Sequence, residues 1–208
     1  MRILLTRHGR SEGNDKNMVL GCDEDPINEL GLKQINKLQK HLEKEKIDVI
    51  ISSDLPKCKL TVKGITKNNK LSSIPIIYEP LLREREYGEF TGKKRDELNW
   101  EDLVGEFEEK RPKGGESLND IQIRAKEFFY NKILTPEFED KTVLIVSHGV
   151  FLKVLLETLM GLNLKESTLK LSIGNCTISE IDVNKKHKAG YLIKTINEKL
   201  FLEGLETI

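Results

Sequence analysis

The chain has 208 residues, and its 34 Lys and Arg are matched by 34 Asp and Glu. At roughly 100–200 residues per domain this is one domain, able to bury a core without disulfides or a structural metal. The missing basic excess argues against a nucleic-acid partner, and no apolar run approaches the ~20 residues of a membrane span.

Ile3-Leu4-Leu5 is a short apolar run, the mark of a buried strand that ends at Arg7-His8-Gly9. Residues 10–28 are polar and contain Gly13, Asn14, Gly21 and Pro26, which predicts a long loop. Leu32, Ile35, Leu38 and Leu42 recur at helical spacing. Residues 48–52 form the next strand, Pro56 opens a helix at its favoured first position, and 74–78 is a third strand. Between Leu81 and Pro112 the pattern breaks into charge-rich segments, assigned to a small helical lobe inserted at about 85–113 and closed by Gly114-Gly115. Within that stretch Arg95 and Arg111 occur singly. Ser117 and Asp120 form a capping box that opens a helix through Ile133. Residues 142–147 make the strongest strand, followed by His148-Gly149 and an apolar helix to Met160 that Gly161 stops. Strands near 177–183 and 191–196 form an edge hairpin across 184–190. Strands alternating with helices predict an α/β three-layer sandwich: a mostly parallel central sheet, helices on both faces, and the small lobe over the site. Loops at the carboxyl ends of its strands should converge on the ligand crevice.

Two of the four histidines share one local design. His8 and His148 each follow a strand directly and each precede glycine, so both emerge at the same sheet edge, where glycine allows a ligand close to the backbone. His41, in a charged helix, and His187, in a Lys-Lys-His-Lys turn, are expected to be solvated. Cys22, Cys58 and Cys176 lie far apart without a CxxC, which points to a reducing cytoplasm, and no metal-ligand spacing is present. Cys22 and Cys58 lack an arginine six residues on, so a cysteine-dependent phosphatase loop is absent. Asp23-Glu24-Asp25-Pro26 mimics an acidic phosphatase motif but follows a loop rather than a strand, so a solvated turn is expected.

Four separated stretches resemble the histidine phosphatase superfamily in its phosphoglycerate-mutase-like branch. They are Leu5-Thr6-Arg7-His8-Gly9-Arg10-Ser11-Glu12-Gly13-Asn14, then Ile51-Ser52-Ser53-Asp54-Leu55-Pro56-Lys57-Cys58, then Leu82-Arg83-Glu84-Arg85-Glu86-Tyr87-Gly88, and finally Val146-Ser147-His148-Gly149. Gly114-Gly115-Glu116-Ser117 and Asn175-Cys176-Thr177 are similar to later landmarks. The resemblance implies that His8 attacks phosphorus and carries the phosphoryl group covalently. Arg7, His148 and Asn14 would gather the phosphate oxygens, with Gly149 at their side. Glu84 matches the proton donor to the leaving alkoxide, with Glu86 as the competing carboxylate. Lys57 stands where the family usually has arginine, and so keeps the charge but loses the planar fork. Arg10 replaces an acidic or amide residue and would favour substrates carrying a second anionic group.

The implied activity is metal- and cofactor-independent hydrolysis of a small phosphorylated metabolite. One alternative is a phosphoglycerate mutase using the same phosphohistidine; the mutases have a longer insert with an arginine pair that is absent here. Another is a non-catalytic phosphate- or partner-binding protein. The edge hairpin and the Leu200, Leu202, Leu205 pattern can pack internally or form a homodimer.

Overall fold

A computed structural model of the chain describes residues 1–164 and 171–205. Among the described residues, six strands form one sheet in the order β3-β2-β4-β1-β5-β6. Strand β1 (Arg2–Arg7), β2 (Val49–Ser52), β3 (Ile76–Tyr78) and β4 (Thr142–Ser147) run parallel; β5 (Ile178–Val183) is antiparallel to β1, and β6 (Tyr191–Glu198) is antiparallel to β5. The expected edge hairpin is therefore present. No helix among the described residues is long and apolar enough to cross a membrane.

The central strands are continuously apolar through their middles, at Ile3–Leu5, Val49–Ile51 and Val143–Val146, because both faces of the sheet are covered. Ile3, Leu5, Val49, Ile51, Val143 and Ile145 point to one face, where α4 (Leu118–Lys126) and α5 (Gly149–Leu159) pack through Ile121, Ala125, Phe151 and Leu155. Leu4, Ile50, Leu144 and Val146 point to the other, against Ile35, Leu38 and Leu42 of α2 (Glu29–Leu42) and Val62 and Ile65 of α3 (Pro56–Ile65). Each such side chain, once buried, contributes about 1.5–3 kcal/mol, so the two half-cores clamp the sheet from both sides.

Helix ends follow the sequence cues. Asn28 accepts from Gly31 N at the start of α2, Pro56 opens α3, and Ser117 and Asp120 form the capping box of α4. After α5, Gly161 takes φ +68°, a left-handed conformation that ends the helix without a Cβ penalty. In α2 the buried stripe excludes Leu32, which is 60% exposed, and includes Gln34, whose Oε1 accepts from Arg10 N. The expected helix through Ile133 continues α4 as a π turn over Glu127–Ile133. That wider turn lets Phe128, Phe129 and Ile133 all face the core.

The 85–113 stretch departs from the helical segments expected of it. It carries only single 3₁₀ turns, at Gly88–Phe90, Arg95–Glu97 and Trp100–Asp102. Aromatic contacts organise it instead of helical periodicity: Phe90 and Tyr87 meet Trp100 edge-on, and the Arg85 guanidinium lies 4.5 Å from the Trp100 ring. Val19, from the loop after β1, joins this small cluster. That loop contains the short helix α1 (Glu12–Asp15).

Candidate active site

His8 and His148 follow β1 and β4, which pair in parallel from Arg2 with Thr142 to Arg7 with Ser147. The ladder runs on through His8 N to Ser147 O at 3.0 Å. The two imidazoles consequently stand side by side, with ring centroids 5.2 Å apart, close to the ~4.8 Å spacing of neighbouring strands. Both are essentially buried. Burial first, then the nearby Lys57 and Arg7 charges, hold each imidazole well below its usual pKa, so both are neutral at physiological pH. His8 Nδ1 lies 2.7 Å from the Gly9 carbonyl oxygen. A carbonyl only accepts, so Nδ1 carries the hydrogen and Nε2 keeps a lone pair. His148 Nε2 lies 2.8 Å from Ser53 Oγ and 3.3 Å from Cys58 Sγ.

A cleft of about 280 Å³ opens at this edge of the sheet. Arg7, Asn14, Glu84 and Gly149 line it, together with Arg95 and Lys153; His8 and His148 are not among its walls and lie buried behind their chain neighbours Arg7 and Gly149. Arg7 Nη1 donates to the Ile173 carbonyl at 2.9 Å. A Cβ on Gly149 would sit 3.3 Å from Arg7 Cζ and Nε, so glycine there lets the guanidinium lie against the start of α5. Asn14 Oδ1 accepts from Ser11 N and from Asn175 Nδ2, which leaves its amide hydrogens for a ligand. Asn175 is fully buried and also donates to the His8 carbonyl at 2.9 Å.

Glu84 is 9% exposed, and its Oε1 accepts from the backbone N–H groups of Arg85 (3.0 Å), Val150 (3.1 Å) and Phe151 (3.3 Å). Two of those donors belong to the first turn of α5, where helix-end N–H groups favour a carboxylate. Its Oε2 has only the longer contact to Val150 N, at 3.3 Å. The segment bearing Glu84 is itself fastened. Arg124 donates to the carbonyls of Leu81, Arg83 and Glu84 and pairs with Glu116, whose Oε1 lies 2.8 Å from Arg124 Nε. Ser147 Oγ donates to Leu82 O at 2.8 Å. Replacing Arg124 by alanine removes the guanidinium from these carbonyls and leaves Glu116 with the Glu86 N–H at 3.0 Å. We expect about 2–4 kcal/mol lost in urea unfolding, with turnover reduced alongside.

Two expected residues are placed elsewhere. Arg10 is not among the cleft walls; its guanidinium pairs with Asp15. Lys57 is 5% exposed and close enough to lower the proton affinity of both histidines, but its Nζ donates to Gly21 O at 3.1 Å and lies 3.6 Å from Asp25. Asp25 in turn is no solvated turn residue. It is 5% exposed and accepts from Ser11 Oγ and Gly13 N, so it braces the loop that carries Asn14, while Asp23 and Glu24 are exposed. His41 stacks on Phe201 and His187 pairs with Asp182, both away from the cleft. Glu86, the competing carboxylate, is exposed and does not line the cleft.

Arg124, Asn175, Lys153 and Ser53 were not singled out by sequence. Arg124 and Lys153 left a signal, since each is a cation within an apolar helical stripe. Asn175 and Ser53 left only their places in the quoted motifs.

Fold and site together define an α/β protein that presents two neutral histidines, a guanidinium and a helix-end carboxylate at one sheet edge. The model of the histidine phosphatase superfamily (branch 1) matches residues 3–196, and the chain belongs to that family. It is 31% identical to the 2,3-bisphosphoglycerate-dependent phosphoglycerate mutase of Bartonella henselae over 79% of this chain and 84% of that enzyme. It is 34% identical to the fructose-2,6-bisphosphatase TIGAR of Xenopus laevis over 61% of this chain and 48% of that protein. The solved structure of Bacillus stearothermophilus YhfR superposes with a TM-score of 0.85 at 25% identity, covering 97% of this chain and 99% of that one.

Proposed function

We propose that the chain hydrolyses small phosphate monoesters through a covalent phosphohistidine on His8, with Glu84 as proton donor. The observation that carries this reading is the His8 Nδ1 contact to the Gly9 carbonyl, which leaves Nε2 unprotonated on the residue next to Arg7, a wall of the cationic cleft. In the first step Nε2 attacks phosphorus and the bond to the ester oxygen breaks. Arg7, Asn14 and His148 hold the non-bridging oxygens, and Glu84 protonates the departing alkoxide from its less engaged Oε2. In the second step the Glu84 carboxylate takes a proton from water, the water oxygen attacks phosphorus, and the P–N bond breaks to release inorganic phosphate. Rapid acid-free quenching of wild-type protein with a ³²P-labelled ester should trap an acid-labile, base-stable label on His8, with a chelator present throughout. A stable absence of label during turnover would overturn the reading.

The rest of the cleft supports a substrate class. Arg95 and Lys153 add two cations to Arg7, against the single carboxylate of Glu84 among the described lining residues. Arg95 and Lys153 therefore take the part that sequence reasoning gave to Arg10: a seat for a second anionic group on the alcohol half of the ester. The named activities of the mutase and bisphosphatase relatives fit that class. Arg95→Ala or Lys153→Ala should raise KM about tenfold for a phosphorylated carboxylic acid, while p-nitrophenyl phosphate is almost unaffected. Steady-state kinetics on the two substrates checks this.

The mutase relatives favour a second reading, in which the phosphoryl group returns to product instead of passing to water. Interconversion of phosphoglycerates primed by a bisphosphorylated ester, outpacing phosphate release, would select it.

A further inference from the structure

We propose that Ser53 is a positioning residue: its hydroxyl donates to His148 Nε2 and so fixes the neutral ring in the Nδ1–H tautomer that donates to a phosphate oxygen. This rests on the phosphate-ester reading above, although the tautomer itself is a property of the resting protein.

The inference follows from counting hydrogens. Ser53 is fully buried, and its Oγ lies 2.8 Å from His148 Nε2 and 3.3 Å from Leu55 N. The Leu55 N–H can only donate, so it occupies a lone pair of Oγ. Of the acceptors in reach of the one hydroxyl hydrogen, the Nε2 lone pair is far stronger than the Cys58 sulfur, so the hydrogen is directed to Nε2. Cys58 Sγ, 3.3 Å from Nε2, has the Ser147 carbonyl at 3.5 Å as an acceptor for its weak S–H donor. With Nε2 taken, Nδ1, which has Cys58 Sγ only at 4.0 Å, is the nitrogen left for a ligand, and in this tautomer it carries a hydrogen. In the opposite tautomer Nε2–H would donate to Oγ, the hydroxyl hydrogen would be left to a thiol sulfur, and Nδ1 would turn a lone pair toward phosphate lone pairs. A ring kept neutral by burial cannot offer N–H on both sides, so its tautomer decides whether His148 attracts or repels the phosphoryl oxygens. His8 receives the mirror arrangement: its Nδ1 gives a hydrogen to a carbonyl and its Nε2 stays bare. One neighbour, a carbonyl or a hydroxyl, makes one histidine a nucleophile and the other a donor.

The test is ¹⁵N–¹H correlation spectroscopy of protein labelled at histidine, with the His148 signals assigned by their loss in His148→Gln. Wild-type protein should show His148 as Nδ1–H. In Ser53→Ala the ring should move to the Nε2–H form or a mixture, and kcat should fall about 10- to 100-fold. Ser53→Thr, which keeps the hydroxyl, should retain the Nδ1–H form and recover activity if it folds. An unchanged tautomer in Ser53→Ala overturns the proposal whatever the activity does, as does a changed tautomer with unchanged kcat. If His8→Ala retained turnover, the phosphohistidine reading would fail on separate grounds, because the spectrum of the resting protein does not depend on it.

Discussion

Alanine at position 8 is expected to remove phosphate-ester turnover, by a factor on the order of 10⁴–10⁶ in kcat. The loss should be this large because no second nucleophile stands ready. His148 is the nearest imidazole, but its Nε2 is engaged by Ser53, and Cys58 is a buried thiol whose pKa burial pushes above the range where a thiolate forms. The variant should stay folded, since His8 contributes a ring at the sheet edge and not a core contact. Its far-ultraviolet circular dichroism and unfolding midpoint separate loss of chemistry from loss of structure. The pH profile of the wild type carries a second signature. Burial together with Lys57, His148 and Arg7 keeps the His8 imidazole unprotonated well below the usual imidazole range. Protonation of His8 therefore does not set an acid limb near neutrality, and activity should persist below pH 6.5. Retained turnover in His8→Ala would sink the phosphohistidine step.

Glu84→Gln should cost about 10²–10⁴ in the rate of His8 phosphorylation by alkyl phosphates and far less in that by p-nitrophenyl phosphate, read from the pre-steady-state burst. Glutamine can keep the backbone donors of Arg85, Val150 and Phe151 on its amide oxygen, so the segment stays in place. What it cannot do is release a proton. An alkoxide leaving group needs that proton, whereas nitrophenolate departs without it. The diagnostic is thus the ratio of the two rates, measured on one preparation. An equal loss on both substrates in this first step would mean that Glu84 acts in binding and not as the acid, whereas its role as base slows the second step alike for both.

Much of this arrangement is visible in the chain before any coordinates. Strands β1 and β4 carry apolar runs at Ile3–Leu5 and Val143–Val146 because both faces of the sheet are covered, and the histidine-glycine pairs mark where each strand ends. Asn28, Pro56, Ser117 and Gly161 are local signals, and local signals survive folding. The 85–113 stretch departs from its expected helical segments because its order comes from Tyr87 and Phe90 meeting Trp100, contacts that have no period along the chain. Charge was legible as type but not as destination. Arg10 turns to Asp15, while Arg95, noted only as an isolated arginine, lines the cleft. Lys57 meets the carbonyl of Gly21, and Arg124 meets three carbonyls near Glu84; no pattern in the sequence encodes partners so distant.

The register between β1 and β4 has a consequence for how the activity can be altered. The separation of the two histidines is fixed by main-chain hydrogen bonds between neighbouring strands, and the side chains merely extend from that frame. Arg95, by contrast, opens a 3₁₀ turn where its backbone N donates to Asn17 O at 3.0 Å, and Asn14 sits on a loop braced by Asp25. On the proposed reading, a rigid reaction end is joined to a replaceable recognition end. Exchange of the loops at 10–26 and 85–113 is then expected to admit new alcohols while the phosphorus chemistry stays where it is.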